Sequence, residues 1–245
     1  MSARVGSSRI ARLVIALALA LATAPLVHAA AIPAKAEDGK PYIGGAWLVE
    51  KPASELKTVD GKAPPLKPEA AAKYAKRKQA SKKEDPVALC LPNGVPRLLN
   101  ANKPIYILQK PKQVTVMYQE NHQARLLYLN LPVPKGDDAP DPTYNGTSVA
   151  RWQGNTLVVD TVGFNETTWL DDSGLPHSDQ LSVVERYDLV SPDRLRVNVT
   201  ITDPGTFTAP WQTQVMYKRQ PEMLGLKEDP CAEKLWTPPT ASGAG

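Results

Sequence analysis

The second half of the chain alternates apolar and polar residues with a period of two, and this pattern constrains the fold more than any other feature. It begins near Pro104 and recurs in about eight short runs as far as Arg219. The clearest run, 194–202, has apolar residues at every second position: Leu195, Val197, Val199 and Ile201. Because successive side chains of a strand point to opposite faces, each run predicts a half-buried β-strand.

Several neighbouring runs are joined by short turn sequences, such as Gln153-Gly154-Asn155 and Ser191-Pro192-Asp193. Tight turns connect antiparallel strands, so the pattern predicts a mostly β protein: an antiparallel, up-and-down, lipocalin-like β-barrel of about eight strands. A β-sandwich is the alternative. The excess of 24 prolines over 15 glycines also favours strands and rigid loops over long helices. A barrel of this size holds side chains or one small ligand in its interior.

Residues 1–29 have the pattern of a secretory signal peptide. Three arginines introduce an apolar run, 13–24, and Ala29 ends a cleavage motif of small residues. The apolar run is too short to span a bilayer, and no later run is long enough, so no transmembrane segment is predicted. We therefore expect a periplasmic or secreted protein.

The rest of the chain divides into two regions. Residues 30–103 are predicted to form a leader and a Pro- and Lys-rich region with one short helix near 69–77. A short apolar run predicts that the first strand begins near Gly45. Pro68 stands at the start of that helix and Glu69 in its first turn, as helix N-termini favour. Residues 104–245 are predicted to form the barrel domain, which the N-terminal segment closes.

The two cysteines, Cys90 and Cys231, lie in segments that resemble loops. An even cysteine count in an exported protein favours one disulfide bond. The alternative is a pair of free buried thiols.

Charge and motifs exclude several classes of function. Without the three N-terminal arginines, 26 basic residues face 25 acidic ones, which argues against a nucleic-acid-binding protein. The chain has no Gly-rich phosphate-binding motif, so no cofactor is predicted. His122 and His177 lack the paired spacing of metal ligands, so no metal site is predicted. Nothing in the sequence indicates an oligomeric state.

Two charged residues fall on the apolar faces of predicted strands. Arg125 shares a face with Leu127, and Glu185 shares a face with Val183 and Tyr187. A buried charge is costly unless it is paired or solvated. The two residues therefore form either a structural ion pair in a closed barrel or the polar groups of a ligand cavity.

The loop 163–179 concentrates residues that carry chemistry: Asn165, Trp169, Asp171, His177 and Asp179. Loops at barrel mouths often carry binding and catalytic groups. Because imidazole titrates near neutrality, we predict that His177 acts as an acid or base, oriented by Asp171 or Asp179 and assisted by Glu185. The alternative is that these polar residues only stabilise a turn.

A longer pattern runs through this region. It comprises Trp152-Gln153-Gly154-Asn155-Thr156-Leu157-Val158-Val159-Asp160-Thr161-Val162-Gly163-Phe164-Asn165, then Pro176-His177-Ser178-Asp179. This pattern resembles that of a family of exported bacterial proteins of uncharacterised function. The resemblance extends over most of the chain after the signal peptide and implies a shared architecture but no particular activity. The tripeptide Gly45-Ala46-Trp47 is also weakly similar to a lipocalin motif.

These observations predict an exported, soluble barrel that binds a small apolar or aromatic molecule. The predicted ligand-binding residues are Arg125, His122, Trp152, Asn165, Trp169 and Tyr187. One alternative is an isomerase, lyase or hydrolase that uses His177 in the same cavity. The other is a structural or interaction module of the cell envelope, for which a dry barrel with Arg125 and Glu185 paired would be evidence.

Overall fold

The computed structural model describes residues 32–79, 82–136 and 139–231. The predicted signal peptide therefore lies outside the described residues. Those from Pro33 onward belong to one compact unit. No helix among the described residues is long and apolar enough to cross a membrane.

Nine strands, in chain order, form a closed barrel. They are β1 (Gly45–Val49), β2 (Ile105–Lys110), β3 (Gln113–Tyr118), β4 (Gln123–Leu129), β5 (Thr147–Gln153), β6 (Thr156–Val162), β7 (Ser182–Ser191), β8 (Arg194–Thr202) and β9 (Trp211–Arg219). The predicted barrel is confirmed, with nine strands rather than about eight. Strand β1 begins at Gly45, as its short apolar run predicted.

Strand β1 closes the barrel because it pairs on both sides. Its residue Trp47 lies opposite Ile105 of β2 and opposite Arg219 of β9, both in antiparallel register. The Arg219 guanidinium also stacks 4.0 Å from the centre of the Trp47 ring. Cation–π stacking adds to the main-chain pairing at this junction.

One junction departs from the predicted antiparallel pattern. Strands β4 and β5 run parallel and pair at two positions only, Tyr128 with Val149 and Leu129 with Ala150. Parallel strands need a crossover connection, which the Pro-rich segment 130–146 supplies. We call this β4–β5 contact the parallel junction. It has fewer paired positions than any other junction between neighbouring strands of the barrel.

The α-helix of the described chain, α1, spans Pro68–Gln79, close to the predicted 69–77. It buries no residue fully and is held mainly by polar contacts, among them an ion pair of Lys78 with Glu55 at 2.5 Å. The Tyr74 hydroxyl donates to Asp171 at 2.9 Å, and the Arg77 guanidinium donates to the carbonyl of Gly174 at 3.2 Å. Helix α1 is therefore fastened to the loop that joins β6 to β7.

Short 3₁₀ turns complete the secondary structure: Lys82–Glu84, Pro86–Leu89, Arg97–Asn100 and Glu120–His122. The first three belong to the segment 82–101, which we call the cap segment. Its residues Leu98 and Leu99 are fully buried, and the Leu99 carbonyl accepts a hydrogen bond from Tyr217 of β9. The cap segment therefore packs onto the barrel core.

The predicted disulfide bond between Cys90 and Cys231 is confirmed. The two Cα atoms lie 5.5 Å apart, although the cysteines are 141 positions apart in the chain. The bond ties the cap segment to the chain that follows β9.

A buried ionic cluster as the candidate functional site

Arg125 and Glu185 form a buried ion pair on the inner face of the barrel. The Arg125 Nη1 atom lies 3.1 Å from Glu185 Oε2, and its Nη2 atom lies 2.6 Å from Oε1. Both side chains are almost completely withdrawn from solvent. The ion pair is bidentate, because two guanidinium nitrogens each donate to one carboxylate oxygen. Such pairing compensates for the loss of solvation that both charges suffer in the interior.

Hydroxyl groups from other strands complete the cluster. Tyr187 donates to Glu185 Oε2 at 2.6 Å. Arg125 Nη2 donates to Ser148 Oγ at 3.0 Å and to Thr161 Oγ1 at 3.1 Å. Arg125 Nη1 also lies 3.5 Å from the Tyr118 hydroxyl oxygen. We call these six residues the inner cluster. It links β3, β4, β5, β6 and β7 through side chains alone.

The alternation of the strands places these groups inside. Arg125 lies opposite Val116 of β3, and Glu185 lies opposite Val159 of β6, so each charge occupies a core-facing position. Arg125 also reaches across the parallel junction to Ser148 and Thr161. Side-chain hydrogen bonds thus supplement the barrel wall where main-chain pairing is sparse.

Burial sets the protonation of the cluster. Burial alone lowers the pKa of Arg125, but the adjacent Glu185 carboxylate outweighs it and holds that pKa well above its usual value. Burial raises the pKa of Tyr118 to about 12. It also raises the pKa of Tyr187 well above its usual value. The guanidinium is therefore charged and both phenols are protonated at neutral pH.

One polar atom of the cluster has no partner. The Nε atom of Arg125 is buried and makes no hydrogen bond to the described residues. An unsatisfied buried donor costs about 1–3 kcal/mol, so natural proteins rarely retain one without a reason. It marks a position at which a bound molecule could accept a hydrogen bond.

Large side chains fill the rest of the interior. The largest fully buried ones include Trp47, Tyr118, Tyr187, Tyr217 and Leu127, which lie on the inner faces of five different strands. None of them is exposed to solvent. The barrel is therefore dry around the inner cluster in this conformation.

The predicted catalytic loop has a different arrangement from the one expected. Asp171 does not contact His177. Its carboxylate instead accepts hydrogen bonds from the backbone N–H groups of Leu56, Ser173 and Leu175 and from the Tyr74 hydroxyl. Burial raises the pKa of Asp171, and these hydrogen bonds oppose the rise. Asp171 therefore connects three parts of the chain: helix α1, the segment that contains Leu56, and its own loop between β6 and β7.

His177, the predicted acid or base, is buried. It is 4% exposed, and its ring packs edge-on against Phe164. Nδ1 lies 2.9 Å from the carbonyl oxygen of Ser178, and Nε2 lies 2.8 Å from the Thr168 hydroxyl. The carbonyl accepts only, so Nδ1 carries the proton and Nε2 accepts from Thr168. Both ring nitrogens are thus occupied, which does not favour a role in acid–base catalysis.

The buried imidazole predicts a specific loss of stability in acid. Burial lowers the pKa of His177 below 6.5, and the Ser178 carbonyl opposes this only in part. The unfolded chain therefore binds the proton more readily. The stabilisation is complete above about pH 6.5 and is lost as the pH falls through the folded-state pKa. We expect denaturant unfolding between about pH 7.5 and about pH 5 to show a smaller acid loss in His177→Gln than in the wild type. Parallel pH profiles would contradict this assignment.

The other predicted site residues are spread over the molecule. Trp169 is buried beneath the guanidinium groups of Arg77 and Arg97, at 5.1 Å and 5.8 Å from its ring centre. Asn165 accepts a hydrogen bond from the nearby Thr167 N–H, which closes a turn. Asp179 is exposed. These residues belong to the loop between β6 and β7 and do not line one shared binding site.

Two predicted ligand-binding residues lie elsewhere again. His122 is exposed, and its Nε2 accepts a hydrogen bond from the Asp229 N–H at 2.6 Å. Trp152 of β5 is half-buried against the core, and its indole N–H has no partner among the described residues. Of the predicted site residues, Arg125, Glu185 and Tyr187 are the three that the structure brings together.

Three members of the inner cluster were not predicted as site residues from the sequence: Tyr118, Ser148 and Thr161. Each occupies an inward position of a strand. The signal available was a polar group on an apolar face, the same signal that identified Arg125 and Glu185. Hydroxyl groups are common at such positions, so the signal is weaker for them than for a charge. Among the described residues, no group of three metal-ligating side chains comes together.

The comparisons with known proteins give no family. No protein-family model matches the chain, and no curated protein matches it. Among solved structures it is similar to the REP1-NXSQ fatty acid transporter, with 11% identity and a TM-score of 0.35, covering 72% of this chain and 95% of that one. It is also similar to a mutant of the fluorescent protein UnaG, with 16% identity and a TM-score of 0.34, covering 73% and 96%. Values this low carry no argument about function.

Proposed function

We propose that the protein binds a small, neutral, apolar or aromatic molecule inside the barrel, next to the inner cluster. The observation that carries this proposal is the buried Arg125–Glu185 pair with its unpartnered Arg125 Nε atom. Apolar residues of similar volume often stabilise a protein as well as a buried ion pair does, or better. A structural module would also contain a paired Arg125 and Glu185 in a filled interior, so the unpartnered Arg125 Nε atom is the feature that favours a ligand.

The charge of the cluster selects the class of ligand. Glu185 neutralises Arg125 through both terminal nitrogens, so a second carboxylate would find no free positive charge. A carbonyl or hydroxyl oxygen, in contrast, accepts one hydrogen bond from Arg125 Nε without adding charge to the interior. Aromatic walls formed by Tyr118 and Tyr187 suit a flat apolar body.

Entry of a ligand requires a movement, because the interior is filled. The parallel junction is the most sparsely paired part of the wall, and Arg125 lies beside it. Local opening occurs where few interactions must break. We propose that the molecule enters there, and that the protein is exported to the periplasm or the exterior as a member of the family that its sequence pattern resembles.

A variant without the polar groups tests the proposal. Arg125→Met, Glu185→Leu and Tyr187→Phe together, which we call the apolar triple variant, keep the interior volume and leave Ser148 and Thr161 bonded to each other at 3.0 Å. Nile red, a neutral aromatic dye with a carbonyl group, is the probe. We expect the wild type to bind it with at least about tenfold higher affinity than the triple variant, which is a loss of about 1.4 kcal/mol.

The matched control is Arg186→Met, a change on the outer, solvent side of the same strand β7. It should leave dye binding unchanged. Equal dye affinity in the wild type and the triple variant would show that the cluster is structural. That outcome would favour the second candidate function, a structural module of the cell envelope. The filled interior of the barrel is the observation that supports this alternative.

A further inference from the structure

The outer face of β2, β3 and β4 exposes a group of large apolar side chains, which we call the outer patch. Its members are Leu108 (46% exposed), Leu126 (44%) and Tyr128 (41%). They are three of the nine large hydrophobic residues that are exposed in the described part of the chain, so a third of these lie on one wall. Contiguous exposed apolar groups mark interaction surfaces more often than scattered ones do.

Strand register places the members of the patch near one another on the wall. Leu108 of β2 lies opposite Thr115 of β3, and Thr115 lies opposite Leu126 of β4. Two strand spacings separate the leucines, which is about 10 Å. Tyr128 stands on the same outer face two residues beyond Leu126, since strand side chains repeat every second residue.

Basic side chains border the outer patch. Lys110 lies in the same cross-strand row as Gln113 and Tyr128, and Lys112 lies in the β2–β3 turn. Both are exposed. The carboxylate of Glu37 lies 3.6 Å from Lys110 Nζ, but both groups are highly exposed and such pairs are weak. The border therefore carries a net positive charge.

We propose that the outer patch docks onto the surface of an anionic lipid bilayer. Leucine side chains enter the boundary between headgroups and acyl chains, tyrosine lies at the interface, and lysines attract anionic headgroups. The proposal is independent of what the interior binds.

Vesicles of equal parts phosphatidylglycerol and phosphatidylcholine test it by co-sedimentation with the full chain. Leu108→Asp and Leu126→Asp should each lower the partition coefficient by about tenfold, because each removes a buried leucine from the lipid contact. Val190→Asp is the matched control: Val190 is 44% exposed, like Leu126, but lies on β7. It should bind as the wild type does. The apolar run 13–24 is common to all variants, so differences among them report the outer patch.

Charge supplies a second measurement on the same vesicles. Lys110→Gln combined with Lys112→Gln should lower binding several-fold at low salt and have little effect at high salt, where the attraction is screened. Equal binding of Leu126→Asp, Val190→Asp and wild type would overturn the proposal. Absence of vesicle binding by the wild type would also overturn it. A wild-type dimer that forms without lipid and that Leu126→Asp dissociates would overturn it too, and would identify a second copy of the chain as the partner. Thermal unfolding confirms that each variant is folded.

Discussion

Replacing Arg125 alone by methionine should lower the free energy of unfolding by about 3–5 kcal/mol. The substitution leaves the Glu185 carboxylate buried with no opposite charge, and Tyr187 is then its remaining hydrogen-bond donor. It also removes the donor that links Ser148 and Thr161 to the cluster across the parallel junction. Since whole domains are stable by about 5–15 kcal/mol, the loss is a large part of the total. Denaturant unfolding at neutral pH measures it.

The apolar triple variant provides the comparison. Because it removes both charges and the Tyr187 hydroxyl together, no uncompensated charge remains, and its stability should lie within about 2 kcal/mol of the wild type. The cost of the single change then exceeds that of the triple change, which is the signature of coupled residues. A single change that costs less than about 1 kcal/mol would show that water reaches the pair.

Removing the disulfide bond should have the other large effect. Cys90→Ser with Cys231→Ser should lower the free energy of unfolding by up to about 5 kcal/mol, since the bond closes a loop of 141 positions. The loop includes every strand except β1, so the unfolded chain gains much freedom when the bond is absent. Guanidinium unfolding of the oxidised wild type and the double variant measures the difference.

Reduction of the wild type provides an independent control for the disulfide. The reduced wild type and the double serine variant should unfold at the same denaturant concentration, because both lack only the cross-link. If the variant matches the oxidised wild type instead, the native fold holds Cys90 and Cys231 together without help from the bond.

The strands and the unusual charges could be predicted from the sequence. Alternation with a period of two depends only on local backbone geometry, so β8 and the buried positions of Arg125 and Glu185 follow from residues a few places apart. The disulfide also followed, because two cysteines have one possible pairing. The start of β1 near Gly45 also followed from a short apolar run, although its five residues show too little of a repeat to assign their faces.

The partners of those residues were decided by the tertiary structure. Arg125 and Glu185 are 60 positions apart, and their contact depends on the order in which seven other strands surround them. The parallel junction arises from the long crossover between β4 and β5, which alternation does not reveal. His177 shows the same limit: its loop is polar in sequence, yet Thr168 and Phe164 bury it. The local pattern determines which way a side chain points, but only the packing of distant segments determines what it meets.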